Sequence, residues 1–323
     1  MNSNISPDGE QFLLTNGQGQ ILPKTQSLNP AFVYLAQLRP QSRQTMRRNL
    51  DLMAGLLTNR RCDAKSLDWA QLRYQHTIAL RTVLLELYAP STVNQMLTAL
   101  RRVLSEARKL KLISSEDYVD AIELPRVSYQ TELKGRYLHP HEVTALMQVA
   151  TSDESVFGFR DSALLAIVIG AGLRRGEVVA LRLGDFDLTS GDLHIRGAKG
   201  GKSRIVPLPQ KCQLLVKAWL AVRSMSPGPL LMAISKGKEL LWRSLSSQSV
   251  LYILQKRAQQ AEISSCSPHD CRRTYISNLL EAGVDIVTVS QLAGHSSTLT
   301  TAKYDRRGDE VKRRAVELLP LSW

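Results

Sequence analysis

The chain has 323 residues, 43% of them hydrophobic, enough to bury a sizeable core and to form two domains. Its formal net charge is +13, its pI is near 9.8 and both halves are basic, so nucleic acid is the first partner to expect and an anionic membrane surface the second. Cys62, Cys212, Cys266 and Cys271 show no paired spacing, nothing resembles a signal peptide, and no apolar run nears the ~20 residues of a bilayer span, so a soluble, cytoplasmic protein without membrane association is expected.

Residues 1–26, rich in Asn, Ser, Gln and Gly, read as a mobile tail. Asn29-Pro30 then opens a helix to about residue 38, and a second begins after Pro40 with Met46, Leu50, Met53 and Leu57 at helical spacing. A third is predicted from Asp68-Trp69 to about Tyr88. Pro90-Ser91 starts a fourth with the stripe Val93, Leu97, Leu100, Leu104 and Ala107, and Ser114 caps a short fifth. Arg43, Arg47, Arg101 and Arg102 fall largely outside the apolar stripes and are candidates for phosphates, although solvated helix faces would give the same pattern. These helices form a domain over 27–123. The Pro- and Gly-bearing stretch 124–135 reads as a linker to a second domain, 136–323.

The second domain begins with a helix whose face is Val143, Leu146, Met147 and Ala150. Arg160 to Gly172 is apolar enough to be a buried helix, and another starts near Arg174. Two strands, 192–196 and 204–208, flank the turn Lys199-Gly-Gly-Lys202, a hairpin by composition. Helices around 212–222, from Ser246/Ser247 to Ala261, and from Ser267-Pro268 to about Gly283 follow. In the second of these Val250, Leu251 and Leu254 should be buried, with Lys256 and Arg257 free for phosphates. Ser296-Ser297 can cap a helix that delivers Tyr304. Gly201-Lys202-Ser203 is not a P-loop, because Arg196 stands where the required glycine would be. Cys266, His269 and Cys271 are three cramped ligands without a fourth, a poor zinc site, so no metal or other cofactor is expected.

A phenol, two histidines, two arginines and a lysine thus recur at helix ends and a hairpin turn. Such a set suits phosphodiester chemistry: guanidinium forks bind the non-bridging oxygens, a phenol attacks phosphorus and a cationic acid protonates the leaving oxygen. The strings Gly172-Leu-Arg174-x-x-Glu177, Lys199-Gly-Gly-Lys202, His269-x-x-Arg272 and Gly294-His295 followed nine residues later by Tyr304 resemble the tyrosine recombinase (phage integrase) family, in its Xer-like and mobile-element branches. The resemblance spans about residues 28–320 and is most specific over 137–307. Ser91 to Ile113 is similar, less closely, to the family's core-binding domain. Cys271, Arg273 and Asp305 to Gly308 depart from the family's usual residues.

The resemblance implies a mainly α fold with a small β-sheet: a helical SAM-like core-binding domain and an α+β catalytic domain closed as a C-shaped clamp on duplex DNA. It implies Arg174, Lys199, His269, Arg272, His295 and Tyr304 as catalytic residues and Glu177 as the acid that orients Arg174; Lys202 and Arg204 are candidate DNA contacts beside them. Lys202 is the alternative to Lys199 as acid. It further implies a homo-tetramer on two double-stranded sites, each with inverted half-sites around a crossover region; the late amphipathic helix, 309–319, would dock into a neighbouring protomer as in the family or pack on its own domain. A type IB topoisomerase and a non-enzymatic DNA-binding accessory protein are the rival readings.

Overall fold

The computed structural model describes residues 29–128, 135–197 and 203–308, together with positions 313, 316, 317, 319 and 320. The expected tail, half of the expected linker, Lys199, Lys202 and most of the late helix lie outside the described residues. The chain divides into two compact units, Met1–Thr131 and Glu132–Trp323. Among the described residues no helix is long and apolar enough to cross a membrane.

The first unit is helical. Helix α1 (Pro30–Ala36) starts where Asn29 Oδ1 accepts the Ala31 N–H at 2.9 Å, and α2 (Pro40–Leu57) also begins on a proline, whose missing N–H is no loss there. Helix α3 (Tyr74–Leu87), α4 (Pro90–Lys109) and α5 (Ser115–Ile122) follow. Helix α4 is central: Val93, Leu97, Leu100, Leu104 and Ala107 are wholly buried, and it packs against α1, α2, α3 and α5. The single helix expected from Asp68 to Tyr88 is broken. Asp68 caps a three-residue 3-10 turn, Trp69–Gln71, and Leu72 turns extended before α3 starts. The break buries both Trp69, whose indole donates to the Ala64 carbonyl at 2.9 Å, and Leu72. The expected linker also begins later than its composition indicates. Asn94 donates to the Val127 carbonyl at 2.8 Å and accepts the Val127 N–H at 3.0 Å, which ties residues 124–128 to the helical unit.

The second unit is built around α7 (Val156–Gly170), buried on nearly every side. Around it lie α6 (Pro140–Thr151), α8 (Arg175–Ala180), α9 (Gln210–Arg223), α10 (Ser247–Gln260) and α11 (Pro268–Glu281). Strands β1 (Asp192–Ile195) and β2 (Arg204–Pro207) pair antiparallel, with Leu193 opposite Val206 and Ile195 opposite Arg204. Leu193, Ile195 and Val206 face the core while His194 and Ile205 face out, as a two-residue period requires. A second hairpin, β3 (Met232–Ile234) with β4 (Leu240–Ser244), has no counterpart in the sequence reading. Its strands are short, and Leu240-Leu241-Trp242 carries no alternation to betray them. Helices α12 (Ile286–Ala293) and α13 (Thr298–Ala302) follow, and positions 313, 316 and 317 are helical.

Leu164 lies wholly buried in α7. Leu164→Ala is predicted to destabilise the chain by ~2–5 kcal/mol in urea unfolding, the usual range for a core leucine cavity; a loss under ~1 kcal/mol would mean that α7 is not the packed centre.

Candidate active site

An α-helix leaves its last carbonyls without intrahelical partners. Helix α12 ends at Gly294, whose φ of +65° lies in the left-handed region that suits glycine. The last three carbonyls of this turn each take a guanidinium from a different element. Arg204 Nε at the head of β2 donates to the Leu292 carbonyl at 2.9 Å. Arg272 Nη2 in α11 donates to the Ala293 carbonyl at 2.6 Å, and Arg174 Nη2 at the N-cap of α8 donates to the Gly294 carbonyl at 2.6 Å. Arg272 is also held by the Gly172 carbonyl at 2.7 Å and is only 4% exposed. Gly172 itself has φ +57°, and a Cβ there would meet the Tyr275 ring at 2.4 Å, so the loop can approach Arg272 only as glycine.

Three guanidinia this close repel one another, and Glu177 offsets the repulsion. Its Oε1 accepts from Arg174 Nη1 at 2.9 Å and Arg204 Nη1 at 3.0 Å. Its Oε2 accepts from the Arg174 backbone N–H at 2.9 Å and Arg204 Nη2 at 2.8 Å. Burial alone would raise the Glu177 carboxyl, but the hydrogen bonds from Arg204 and Arg174 hold it down to about 2. Burial, and then the charge of Arg174, brings Arg272 down to about 10, so it remains a cation at neutral pH.

Immediately after this turn comes His295. Its Nδ1 lies 2.8 Å from Thr301 Oγ1, and its ring stacks on Tyr304 with centroids 5.9 Å apart and planes at 19°. Tyr304 is 6% exposed and packs with Ile276, Leu280, Val289 and Ala293, while Ser277 Oγ donates to its carbonyl at 2.9 Å. The expected helix delivering this tyrosine is shorter than its placement requires: Ser297 caps α13 as expected, but the helix stops at Ala302 and Tyr304 stands in the turn beyond it. Burial, followed by the charges of Arg272, Arg174 and Arg204, holds the His295 imidazole down to about 4, with Glu177 opposing.

Five sequence-predicted residues therefore come together: Arg174, Glu177, Arg272, His295 and Tyr304. His269 sits one turn before Arg272 on α11, exposed, near Gly135. The first turn of α11 is fixed by Ser267, which caps Asp270 N–H, and by Asp270, which accepts the backbone N–H of Ser267 at 2.7 Å and of Arg136 at 2.7 Å. Lys199 and Lys202 lie outside the described residues; the segment carrying them leaves β1 at Ile195 and rejoins β2 at Arg204.

Several expected DNA contacts are otherwise engaged. Arg257, expected on a free edge, is 2% exposed and donates to Asp161 at 2.9 Å and Asp153 at 2.6 Å, which leaves it no phosphate-facing edge. Arg204, also expected on DNA, has its fork closed on Glu177. Arg43 donates to the Leu35 and Leu38 carbonyls and Arg101 to the Leu124 carbonyl, closing helix ends of their own unit. Arg47 is half-buried, whereas Arg102 and Lys256 are exposed. Arg204 was legible after all. Residues 204 and 206 share one face of β2, Val206 is a core residue and so is Leu208 just beyond the strand, so the alternation turns Arg204 inward to an internal partner. Thr301 and Ser277 carried no such signal.

The sequence profile of the phage integrase family matches residues 136–310, more than half of the chain. The chain belongs to the phage integrase family. Within it, the tyrosine recombinase XerA of Thermococcus kodakarensis is 35% identical over 158 residues, covering 49% of this chain and 55% of the relative. The tyrosine recombinase XerC of Pelotomaculum thermopropionicum is 30% identical over 228 residues, covering 67% and 72%. The chain thus spans little more than half the length of the first of these relatives. In fold it is similar to the Tn1549 transposon integrase in complex with transposon right end DNA, with a TM-score of 0.65 at 15% identity over 91% of this chain and 98% of that one. A mainly helical architecture with small antiparallel sheets is common to this integrase and the chain.

The depressed titration of His295 gives a prediction with a definite sign. The unfolded ring titrates near 6.5 and the folded one near 4, so between these values the unfolded chain binds the extra proton. Its contribution to stability is complete above about pH 6.5 and is lost as pH falls towards 4. NMR titration should show His295 neutral at pH 6; an imidazole half-protonated near 6.5 would refute the packed cluster.

Proposed function

We propose that the chain is a site-specific DNA recombinase that cuts and rejoins double-stranded DNA without hydrolysis, through a 3′-phosphotyrosyl intermediate. The observation that carries this reading is the Tyr304 ring stacked on His295 beside two guanidinia that already hold the same turn. Three cations balanced by one carboxylate leave a positive surplus at that turn, which favours a phosphate.

In this reading Arg174 and Arg272 stabilise the charge of the pentavalent phosphorane, as preorganised donors do best when they need not reorient. His295 donates to a phosphate oxygen and His269 assists proton transfer from the phenol. The Tyr304 oxygen bonds to phosphorus, the bond to the 5′-oxygen breaks, and Lys199 protonates that oxygen as it leaves. Rejoining reverses these steps with a 5′-hydroxyl from the partner duplex. The phosphotyrosyl bond keeps the energy of the phosphodiester, so no ATP is needed, and the guanidinia supply the positive charge that a metal would otherwise provide. Strand exchange proceeds through a Holliday junction in a homo-tetramer on two sites with inverted half-sites, in the cytoplasm. The relatives named as tyrosine recombinases and the DNA-bound integrase of like fold support this reading.

A suicide DNA substrate separates nucleophile from acid. Tyr304→Phe should bind DNA and form no covalent complex. Lys199→Ala should cleave ~10²–10⁴ times more slowly and recover when sulfur replaces the 5′-bridging oxygen, because a thiolate leaves without a proton. Lys202→Ala should weaken binding and show no selective recovery. Covalent complex from Tyr304→Phe at the wild-type level would sink the nucleophile and the function with it; sulfur rescue of Lys202→Ala alone would move the acid by three residues.

A further inference from the structure

We propose that Arg204 is a positioning residue of this site: it clamps Glu177 and the end of α12 into one frame and so aims Arg174 at the scissile phosphate. The inference rests on the strand-transfer reading above, and it reassigns a residue whose charge alone makes it look like a DNA contact.

The donors of Arg204 are committed. Nε serves the Leu292 carbonyl and the two terminal nitrogens serve the two oxygens of Glu177, at 2.9, 3.0 and 2.8 Å, and the side chain is 11% exposed. A guanidinium fork matches a carboxylate in a way that a lysine ammonium cannot. Arg174, at 39% side-chain exposure, has the outward position, and its two side-chain anchors are Glu177 and the Gly294 carbonyl. Arg204 braces both. It supplies two of the four donors on Glu177, and it packs against Gly294 so closely that a Cβ there would lie 2.7 Å from Arg204 Nη1. Removing Arg204 halves the donors on a buried carboxylate, strips the Leu292 carbonyl of its guanidinium and opens a space beside Gly294. Arg174 and His295, attached to that carboxylate and that turn, lose their shared reference. Because Arg204 heads β2, the same bond also ties the β1–β2 hairpin to α12.

Arg204→Ala and Arg204→Lys in the full chain test this with three readouts. At saturating DNA, single-turnover cleavage of a suicide substrate should fall about 10²-fold in the alanine variant, the size expected when a catalytic group shifts by ~1 Å. The slope of log K for DNA against log salt should stay at the wild-type value, since a lost phosphate contact would lower it by ~0.9. In the DNA-free protein the His295 titration should move up in Arg204→Ala, which removes a neighbouring cation, and stay near the wild-type value in Arg204→Lys, which keeps the charge but not the fork. The lysine variant should still cleave slowly. If Arg204→Ala does not fold, Arg204→Lys decides: slow cleavage at an unchanged salt slope supports the proposal, and wild-type cleavage overturns it. Normal cleavage at saturation with a slope reduced by ~0.9 makes Arg204 a phosphate contact and also overturns it. Failure of the wild-type protein itself to form covalent complex would instead strike the strand-transfer reading, and the His295 titrations would still report on the clamp.

Discussion

One carboxylate makes the site possible. Glu177 sits between Arg174 and Arg204 with both oxygens doubly engaged, within reach of a third cation, Arg272. Without it three guanidinia would crowd one helix end in a partly dry environment, where like charges repel several times more strongly than in water. The C-terminal end of α12 assists, because its unpaired carbonyls carry the negative end of the helix dipole. Removing one partner from such a buried, hydrogen-bonded set leaves charges stranded, a loss of ~3–5 kcal/mol in comparable cases. The arrangement is therefore stable as a unit and fragile to any single omission.

The same interaction explains why residues far apart in sequence meet with little latitude. Arg174 follows a buried helix, Arg204 begins a strand and Arg272 lies in the first turns of α11, yet each ends on consecutive carbonyls of one turn. That turn continues directly into His295, and the core beneath it, Ile276, Leu280, Val289 and Ala293, also holds the Tyr304 ring. Tyr304 and the three guanidinia are thus fastened to the same short segment. Glycine at 172 and 294 is part of this economy of space: one lets the loop reach Arg272 under Tyr275, the other lets Arg204 lie against the backbone.

Much of this was legible beforehand, because it rests on local signals. Asn29, Ser114, Ser246, Ser267 and Ser297 all cap the helices that their side-chain chemistry announces. The stripe of α4 is periodic over about four turns, and the apolar run of α7 is unbroken from Ala163 to Ile169. What failed had no local signature. The break at Leu72 exists because Trp69 and Leu72 find the core of their own unit, a tertiary gain that outweighs the helical propensity of the segment. Residues 124–128 look like a linker by composition, but Asn94, thirty positions upstream, holds them. Arg257, by contrast, did carry a signal: it stands seven residues after Val250 and three after Leu254, on the buried face of α10, where Asp153 and Asp161 pair with it. Charge is the least local of these signals: a guanidinium reads the same in sequence whether it meets a phosphate, a carboxylate or a helix end.

The electrostatics of the cluster also favour one protonation state of His295. Surrounded by Arg174, Arg204 and Arg272, with Glu177 already shared between two of them, an added proton on the imidazole would bring a fourth positive charge into the same turn. The ring therefore stays neutral, and a neutral imidazole has one donor and one acceptor nitrogen. Thr301 occupies Nδ1. When the threonine hydroxyl donates there, the remaining proton sits on Nε2, where the ring can give a hydrogen bond to an oxygen of an anionic ligand without competing with the guanidinia for charge. In the proposed reaction the cations would attract the phosphate and the neutral histidine would add a directional donor. That division of labour follows from the packing of one helix end rather than from any property of the histidine alone.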